Sequence, residues 1–294
     1  MQSMENKINA VSVKTKFVET GGKKIAYRSI GSGLPIILVN RFRGNLDTWD
    51  PAFLDALAST YNVITIDYSG IGLSTGVCTA DVYEMAKDVK DIAEALRFTK
   101  IIMAGWSLGG MVAQAVMTQY PELLSHAILI GTSPPVRSNG VSQKLFWERA
   151  LKPVTDLDDG TVLFFEPQSE SSKNAAKLSF GRIAKRAEDL DNPVSKECYS
   201  NQQKAVDEFR EDKNGALAKL EGSKIPILVI MGDHDIGFPV EDWYSLVGKL
   251  PSTQLIVMPQ AGHGPQHQYT DLAAKYIISF IENSKESIKQ SSGL

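Results

Sequence analysis

The chain has 294 residues, enough for one large domain or two smaller ones. Its 31 lysines and arginines nearly balance its 34 aspartates and glutamates, which excludes the basic surplus typical of nucleic-acid-binding proteins. Hydrophobic residues make up 43% of the chain and charged residues 22%, which excludes disorder along its whole length. We therefore expect a globular protein with a sizeable core and no nucleic-acid partner.

The cysteines and the apolar segments bear on where the protein works. Cys78 and Cys198 are too few for a disulfide framework or a cysteine-rich zinc site, although a single bridge between them remains open. The first residues are polar and lack the apolar centre of a signal peptide. No apolar run approaches the ~20 residues that a membrane span needs. We predict a cytoplasmic protein without a membrane partner.

Predicted strands and helices alternate along most of the chain. Segments 16–19 and 23–29 flank a pair of glycines and predict a β-hairpin. Short apolar segments then predict six further strands, at 35–40, 62–67, 100–105, 126–131, 226–231 and 254–258. Apolar residues at helical spacing predict helices at 51–60, 80–98, 109–120, 240–250 and 270–282. Buried strands that alternate with helices are typical of a parallel sheet covered on both faces.

The segment 134–223 interrupts this alternation, because its pattern is helical and charged throughout. Helices are predicted within it at 141–151, 161–165, 172–186, 195–211 and 215–220. An insertion of roughly ninety residues is too long for a loop in a compact domain. We therefore predict an α/β fold with a mostly parallel eight-stranded sheet, formed by residues 1–133 and 224–294. Residues 134–223 are predicted to form a helical lid inserted after the sixth strand.

The sequence Gly-Trp-Ser-Leu-Gly at 105–109 lies between a predicted strand and a predicted helix. In that position G-x-S-x-G is typical of a nucleophile elbow, a strained turn that exposes a serine hydroxyl at the carboxyl edge of the sheet. The flanking glycines allow the two backbones to pass closely. Ser107 is thus the predicted nucleophile, and the N–H of Leu108 is expected to face a developing oxyanion.

A nucleophilic serine needs a base and a carboxylate that orients the base. His263 follows the last predicted strand, and loops at the carboxyl edge of a parallel sheet converge, so His263 can reach Ser107. Two acids, Asp233 and Asp235, follow the strand at 226–231 and are both candidates to orient it. The remaining histidines are interpreted as structural: His126, His234 and His267.

Together these segments resemble the α/β-hydrolase superfamily, in particular its lidded serine hydrolases. The chain order serine, acid, histidine is the order of that family. The family's G-x-x-D pattern matches 232–235, and its A-G-H-G pattern matches 261–264. The resemblance therefore implies that Asp235, rather than Asp233, is the acid and that His263 is the base. The family's structural segment D-x-x-G-x-G-x-S also matches, at 67–74. No cofactor is implied, and no metal is expected, because histidines and acids do not occur at ligand spacing.

One segment departs from the family pattern. After its third strand the family has His-Gly-x-Gly, in which the N–H of x is the second oxyanion donor, whereas this chain has Asn-Arg-Phe-Arg-Gly at 40–44. The resemblance thus implies that Phe42 supplies the second donor. Arg41 and Arg43 beside it are predicted to bind a carboxylate of the substrate. Alternatively, they hold the loop by pairing with nearby acids: Asp47, Asp50 or Asp67.

Aromatic side chains are further candidates for contact with the substrate. Trp106 precedes the nucleophile, and Trp147 and Phe165 lie in the predicted lid. We predict that these three line a pocket over Ser107, with the alternative that the lid aromatics form the core of the lid.

The pattern predicts a serine hydrolase that cleaves a carboxylic ester, lactone or related acyl bond, of the EC 3.1 type. The same residues also suit C–C bond hydrolysis, perhydrolysis or acyl transfer, and a non-catalytic small-molecule receptor of this fold is a further alternative. The expected partner is a small apolar or carboxylated ester. The oligomeric state is left open.

Overall fold

A computed structural model describes residues 9–136 and 144–291, with side chains described as far as residue 284. Its eight strands form one sheet in the order β1-β2-β4-β3-β5-β6-β7-β8. The strands are β1 (Lys16–Thr20), β2 (Lys23–Ile30), β3 (Pro35–Val39), β4 (Asn62–Ile66), β5 (Ile101–Trp106), β6 (Leu124–Ile130), β7 (Ile227–Gly232) and β8 (Thr253–Met258). β2 pairs antiparallel with both β1 and β4, and the remaining pairs are parallel. The predicted mostly parallel eight-stranded α/β sheet is confirmed.

Helices cover both faces of the sheet. Those outside the segment between β6 and β7 are α1 (Pro51–Ala58), α2 (Val82–Ala95), α3 (Leu108–Gln119), α9 (Glu241–Tyr244), α10 (Pro265–Gln268) and α11 (Thr270–Ser291). Apolar residues of α2 and α3 form one core, and those of α1 and α11 form a second. Within β3, Ile37 belongs to the first core and Ile36 to the second, as the alternation of side chains along a strand requires.

In the part of the chain that the structure describes, five helices lie between β6 and β7, where the sequence predicts an insertion. They are α4 (Lys144–Ala150), α5 (Leu157–Phe164), α6 (Glu170–Ile183), α7 (Lys196–Arg210) and α8 (Ala216–Glu221). An ion pair joins α6 to the core of the protein: the guanidinium of Arg182 donates to both carboxylate oxygens of Asp50, at 2.6 to 3.2 Å. Asp50 also caps the start of α1, so this ion pair holds α6 against that helix.

A disulfide joins Cys78, in the loop between β4 and α2, to Cys198 in α7. The bridge that the sequence left open is therefore present, because the fold brings these two distant segments together. Disulfides persist mainly in oxidising compartments, so this bridge does not support the cytoplasmic location, which stays a prediction. Among the residues described, no helix combines the length and apolar character needed to cross a membrane.

Two helix ends differ most from the prediction. The helix predicted at 240–250 is only the short α9, and turns follow as far as residue 250. Gly248 has a φ of 79°, a left-handed conformation that ends helical geometry, although Leu246 and Leu250 remain buried as the pattern predicts. α11 continues past the predicted end at residue 282, because neither glycine nor proline occurs before Gly293.

Candidate active site

Ser107 lies in the turn between β5 and α3. Its φ of 60° and ψ of −119° place a non-glycine residue in a sparsely populated region, as in a strained elbow. Its N–H donates to the carbonyl of Ile130 at 2.9 Å, and its own carbonyl accepts from the hydroxyl of Thr132 at 2.7 Å. A Cβ at Gly109 would collide with the carbonyl oxygen of Val39, so only glycine permits this close crossing. The strained turn holds the serine hydroxyl at the carboxyl edge of the sheet.

The structure brings Ser107, His263 and Asp235 into one chain of hydrogen bonds. Nε2 of His263 lies 2.7 Å from Oγ of Ser107, and Nδ1 lies 2.7 Å from Oδ2 of Asp235. The other carboxylate oxygen, Oδ1, accepts from the N–H groups of Gly237 and Phe238 at 2.8 and 2.9 Å. The imidazole is 1% exposed and the carboxylate 0%, so water does not compete for these bonds. With the proton of His263 on Nδ1, Nε2 is free to accept the serine proton.

Asp233 makes different contacts. Its Oδ1 lies 2.6 Å from Nδ1 of the exposed His234 and accepts from the N–H of Ala261 at 3.1 Å. The hydrogen bond that His234 donates to the carboxylate of Asp233 raises the pKa of His234. Asp233 therefore steadies the loop that carries His263, whereas Asp235 contacts the imidazole itself.

The N–H groups of Phe42 and Leu108 remain available beside Ser107. Leu108 is the first residue of α3, where an N–H has no partner in the preceding turn of the helix. Over residues 9–136 and 144–291, neither N–H donates a hydrogen bond to another group of the protein. The two donors and the positive end of α3 are suited to an oxyanion.

A cavity of about 130 Å³ opens onto Ser107. Its lining residues are Arg41, Phe42, Arg43, Ser107, Phe146, Ala150, Thr155, Leu163, Phe164 and His263. Half of them belong to the segment between β6 and β7, so that segment forms one wall. Since a cavity near 150 Å³ holds a benzene molecule, this space suits a small organic group.

The sequence pattern of the alpha/beta hydrolase fold matches residues 35–268 of this chain. The chain belongs to the alpha/beta hydrolase family. It is 25% identical over 260 residues to a pimeloyl-[acyl-carrier protein] methyl ester esterase of Vibrio atlanticus, covering 86% of this chain and 96% of that protein. An alpha/beta hydrolase fold protein from Chitinophaga pinensis superposes with a TM-score of 0.84 at 26% identity, covering 94% of this chain and 100% of the other.

A third relative of this alpha/beta hydrolase is much longer. The chain is 27% identical over 251 residues to a biotin biosynthesis bifunctional protein of Teredinibacter turnerae. The match covers 82% of this chain but 42% of that protein. The hydrolase therefore spans less than half the length of this relative.

Three of the predicted substrate contacts are not among the residues that line the cavity. Trp106 is 1% exposed and its indole N–H donates to the carbonyl of His263 at 2.7 Å. Phe165 is also 1% exposed and packs on Phe180. Trp147 packs edge-on against Phe42. The prediction that these three line the pocket is corrected, because each side chain is occupied in packing.

The lining residues that the sequence did not single out come from α4, α5 and the loop between them. Ala150, Thr155 and Leu163 carry no chemical signal, and which helix face turns inward depends on packing against the core. Phe146 and Phe164 are visible in the sequence as aromatic lid residues. Their rings lie 5.3 and 6.3 Å from the imidazole of His263.

The acids expected to pair with Arg41 and Arg43 are engaged elsewhere. Asp47 pairs with Arg28 at 2.6 Å, and Asp50 pairs with Arg182. Burial and the neighbouring carboxyl of Asp191 raise the pKa of Asp67 well above its usual range. Of the residues described, no acid forms an ion pair with Arg41 or Arg43, so the predicted pairing with acids is wrong, although Arg43 does hold its loop by donating to backbone carbonyls.

One group of acids in the hydrolase has the spacing of metal ligands: Asp156, Asp158 and Asp159. Each of these carboxylates already has a structural partner. Asp156 and Asp159 form a capping box at the start of α5, and Arg149 pairs with Asp158 and Asp159. These contacts give the three acids a structural role at the start of α5.

Proposed function

We propose that this protein is a serine hydrolase that cleaves a carboxylic ester, lactone or related acyl bond. The observation that carries the proposal is the buried hydrogen-bond chain from Ser107 through His263 to Asp235, which ends at the cavity. The esterase among its relatives supports an ester over the other bonds that this arrangement suits.

In the proposed reaction, Oγ of Ser107 attacks the substrate carbonyl while Nε2 of His263 takes the hydroxyl proton. Asp235 holds the imidazole in the required tautomer and stabilises the imidazolium that forms. The N–H groups of Phe42 and Leu108 bind the oxyanion of the tetrahedral intermediate, each contributing roughly 3 kcal/mol.

Collapse of this intermediate returns the proton from Nε2 of His263 to the departing alcohol, leaving an acyl group on Ser107. Water then gives a proton to Nε2 of His263 and attacks the acyl carbon. The second intermediate releases the acid, and the proton returns to Oγ of Ser107. No cofactor takes part in these steps.

We further propose that residues 134–223 act as a lid that selects small substrates. Half of the cavity wall comes from this segment, and the volume suits a short acyl group or a single ring. The partner is accordingly a small apolar or carboxylated ester rather than a nucleic acid or a membrane lipid.

Covalent labelling tests the proposal. Intact-mass analysis with a fluorophosphonate should show one adduct on the wild type and none on Ser107→Ala, and the same variant should lose ester hydrolysis. Ser133→Ala is the matched control, because the hydroxyl of Ser133 donates to the carbonyl of Pro134 rather than to His263. It should label like the wild type.

A series of nitrophenyl esters from acetyl to decanoyl then measures acyl size. We expect the highest kcat/KM for the short esters, because the cavity is small. Labelling of Ser107→Ala at the wild-type rate would disprove the assignment of the nucleophile. Tight binding of an ester without turnover would identify a receptor instead of an enzyme.

A further inference from the structure

Arg41 has an unusual position for a charged side chain. It lines the cavity beside Ser107, with its guanidinium carbon 4.4 Å from the ring centre of Phe164 and 5.2 Å from that of Trp106. Nη1 donates to the carbonyl of the next residue, Phe42, at 2.7 Å. Nε is buried and has no hydrogen-bond partner within the described residues. The guanidinium thus packs against two aromatic rings, and its Nε donates no hydrogen bond within the described residues.

No carboxylate lies among the residues that line the cavity. The carboxylate of Asp235 is already satisfied by His263 and by two backbone N–H groups. Burial, and then the charge of Arg43, lower the pKa of Arg41 to about 9, so its guanidinium is still positive at neutral pH. A partly buried cation with no ion-pair partner among the described residues is unfavourable, and an anionic group that entered the cavity would relieve this.

Arg43 differs from Arg41 although it lines the same cavity. Its Nη1 donates to the carbonyls of Ala150 and Lys152 at 2.8 and 2.6 Å, and its Nη2 donates to that of Pro153. These three carbonyls lie at the last residue of α4 and in the loop that follows it, so Arg43 fastens this segment to the loop after β3. Both terminal nitrogens of Arg43 thus donate to the protein, whereas Arg41 donates through Nη1 alone and its Nε has no partner within the described residues.

We propose that Arg41 is a specificity-determining residue that binds a carboxylate on the substrate while the scissile carbonyl lies at Ser107. The substrate class is a short half-ester of a dicarboxylic acid, or a lactone that carries a carboxylate. The assignment of the scissile carbonyl rests on the proposed serine hydrolase function. The small volume of the cavity places the carboxylate within a few bonds of that carbonyl.

The test compares monomethyl esters of malonate, succinate and glutarate with the corresponding methyl ester amides, which have nearly the same shape but no charge. For the best chain length, wild-type kcat/KM should favour the anion roughly tenfold to a hundredfold, as a charge-assisted contact provides. Arg41→Gln should bring this ratio close to one, and Arg41→Lys should retain part of the preference. Arg43→Gln, the matched control, should keep the ratio and lower the Tm.

A binding measurement separates failure of this inference from failure of the hydrolase proposal. In Ser107→Ala, succinate should raise the Tm, and the additional change Arg41→Gln should abolish that rise. A wild-type ratio near one, or a ratio unchanged in Arg41→Gln, would overturn the inference while fluorophosphonate labelling leaves the hydrolase proposal standing. If Ser107 is not labelled, the hydrolase proposal fails. The rise in Tm with succinate then tests the anion subsite by itself. A rise that depends on Arg41 supports the subsite, and the absence of a rise overturns it.

Discussion

The indole N–H of Trp106 donates to the carbonyl of His263 at 2.7 Å. This hydrogen bond joins the residue before Ser107 to the loop that carries His263, across 157 positions of sequence. Because both groups are buried, water cannot replace the bond if it is lost. We therefore expect Trp106 to act as a positioning residue that keeps the imidazole of His263 at hydrogen-bond distance from Ser107.

Trp106→Phe tests this role, because it keeps an aromatic ring and removes the donor. We expect kcat for a short ester to fall about tenfold while KM stays within about twofold, since the bond aligns the base and does not contact substrate. Trp49→Phe is the control, because the neighbouring indole N–H of Trp49 has no hydrogen-bond partner within the described residues. Equal losses in the two variants would show that ring packing alone matters.

Replacement of each acid after β7 should separate their functions. Asp235→Asn should lower kcat by about 10⁴, because an amide does not hold His263 in the tautomer that accepts the serine proton. Asp233→Asn should lower kcat far less, since Asp233 contacts the exposed His234 and the backbone of Ala261. Steady-state hydrolysis of a short ester measures both. A larger loss in Asp233→Asn would contradict the assignment.

The disulfide between Cys78 and Cys198 should hold α7 against the sheet. Reduction, or Cys78→Ser, should lower the free energy of unfolding by about 2–4 kcal/mol, because the bridge closes a long loop in the unfolded chain. Urea unfolding with and without reductant measures this, and reductant should have no effect on Cys78→Ser. Two free thiols in the native protein without reductant, counted by alkylation and intact mass, would contradict the pairing.

Stability should fall in weak acid because of His267. Burial lowers its pKa to about 4, with Arg41 and Arg182 acting in the same direction and Asp50 opposing them. In the unfolded chain the same imidazole has a pKa near 6.5, so between these values the unfolded state binds the extra proton. The contribution of His267 to the free energy of unfolding is complete above about pH 6.5 and is lost as the pH falls towards 4. The loss is about 2.5 kcal/mol by pH 4.5.

Urea unfolding at pH 7.5 and pH 4.5 checks this sign. His267→Gln should lose less stability than the wild type between the two pH values, because it has no imidazole to protonate. His234→Gln is the control, because the pKa of His234 is raised and its contribution is instead lost as the pH rises. A wild type and His267→Gln that lose equal stability would contradict the prediction.

The sequence by itself predicted the strands, their parallel arrangement and the residues at the strand ends. These depend on local signals: the spacing of apolar residues, which predicts alternating strands and helices, and the strand–turn–helix context of Ser107. The loops after β7 and β8 meet the elbow in any sheet of this kind, because parallel strands end at one edge. For that reason Ser107, Asp235 and His263 were already candidates before their hydrogen bonds were seen.

Only the tertiary structure decided which side chains surround the cavity and how each arginine is used. Arg41 and Arg43 are two positions apart and chemically identical, yet one has unused donors and the other binds three carbonyls of the lid. The pairing of Cys78 with Cys198 and the burial of Trp106 depend in the same way on distant segments. Contacts of this kind follow from how the segment between β6 and β7 packs on the rest of the protein, and no local pattern of residues encodes that packing.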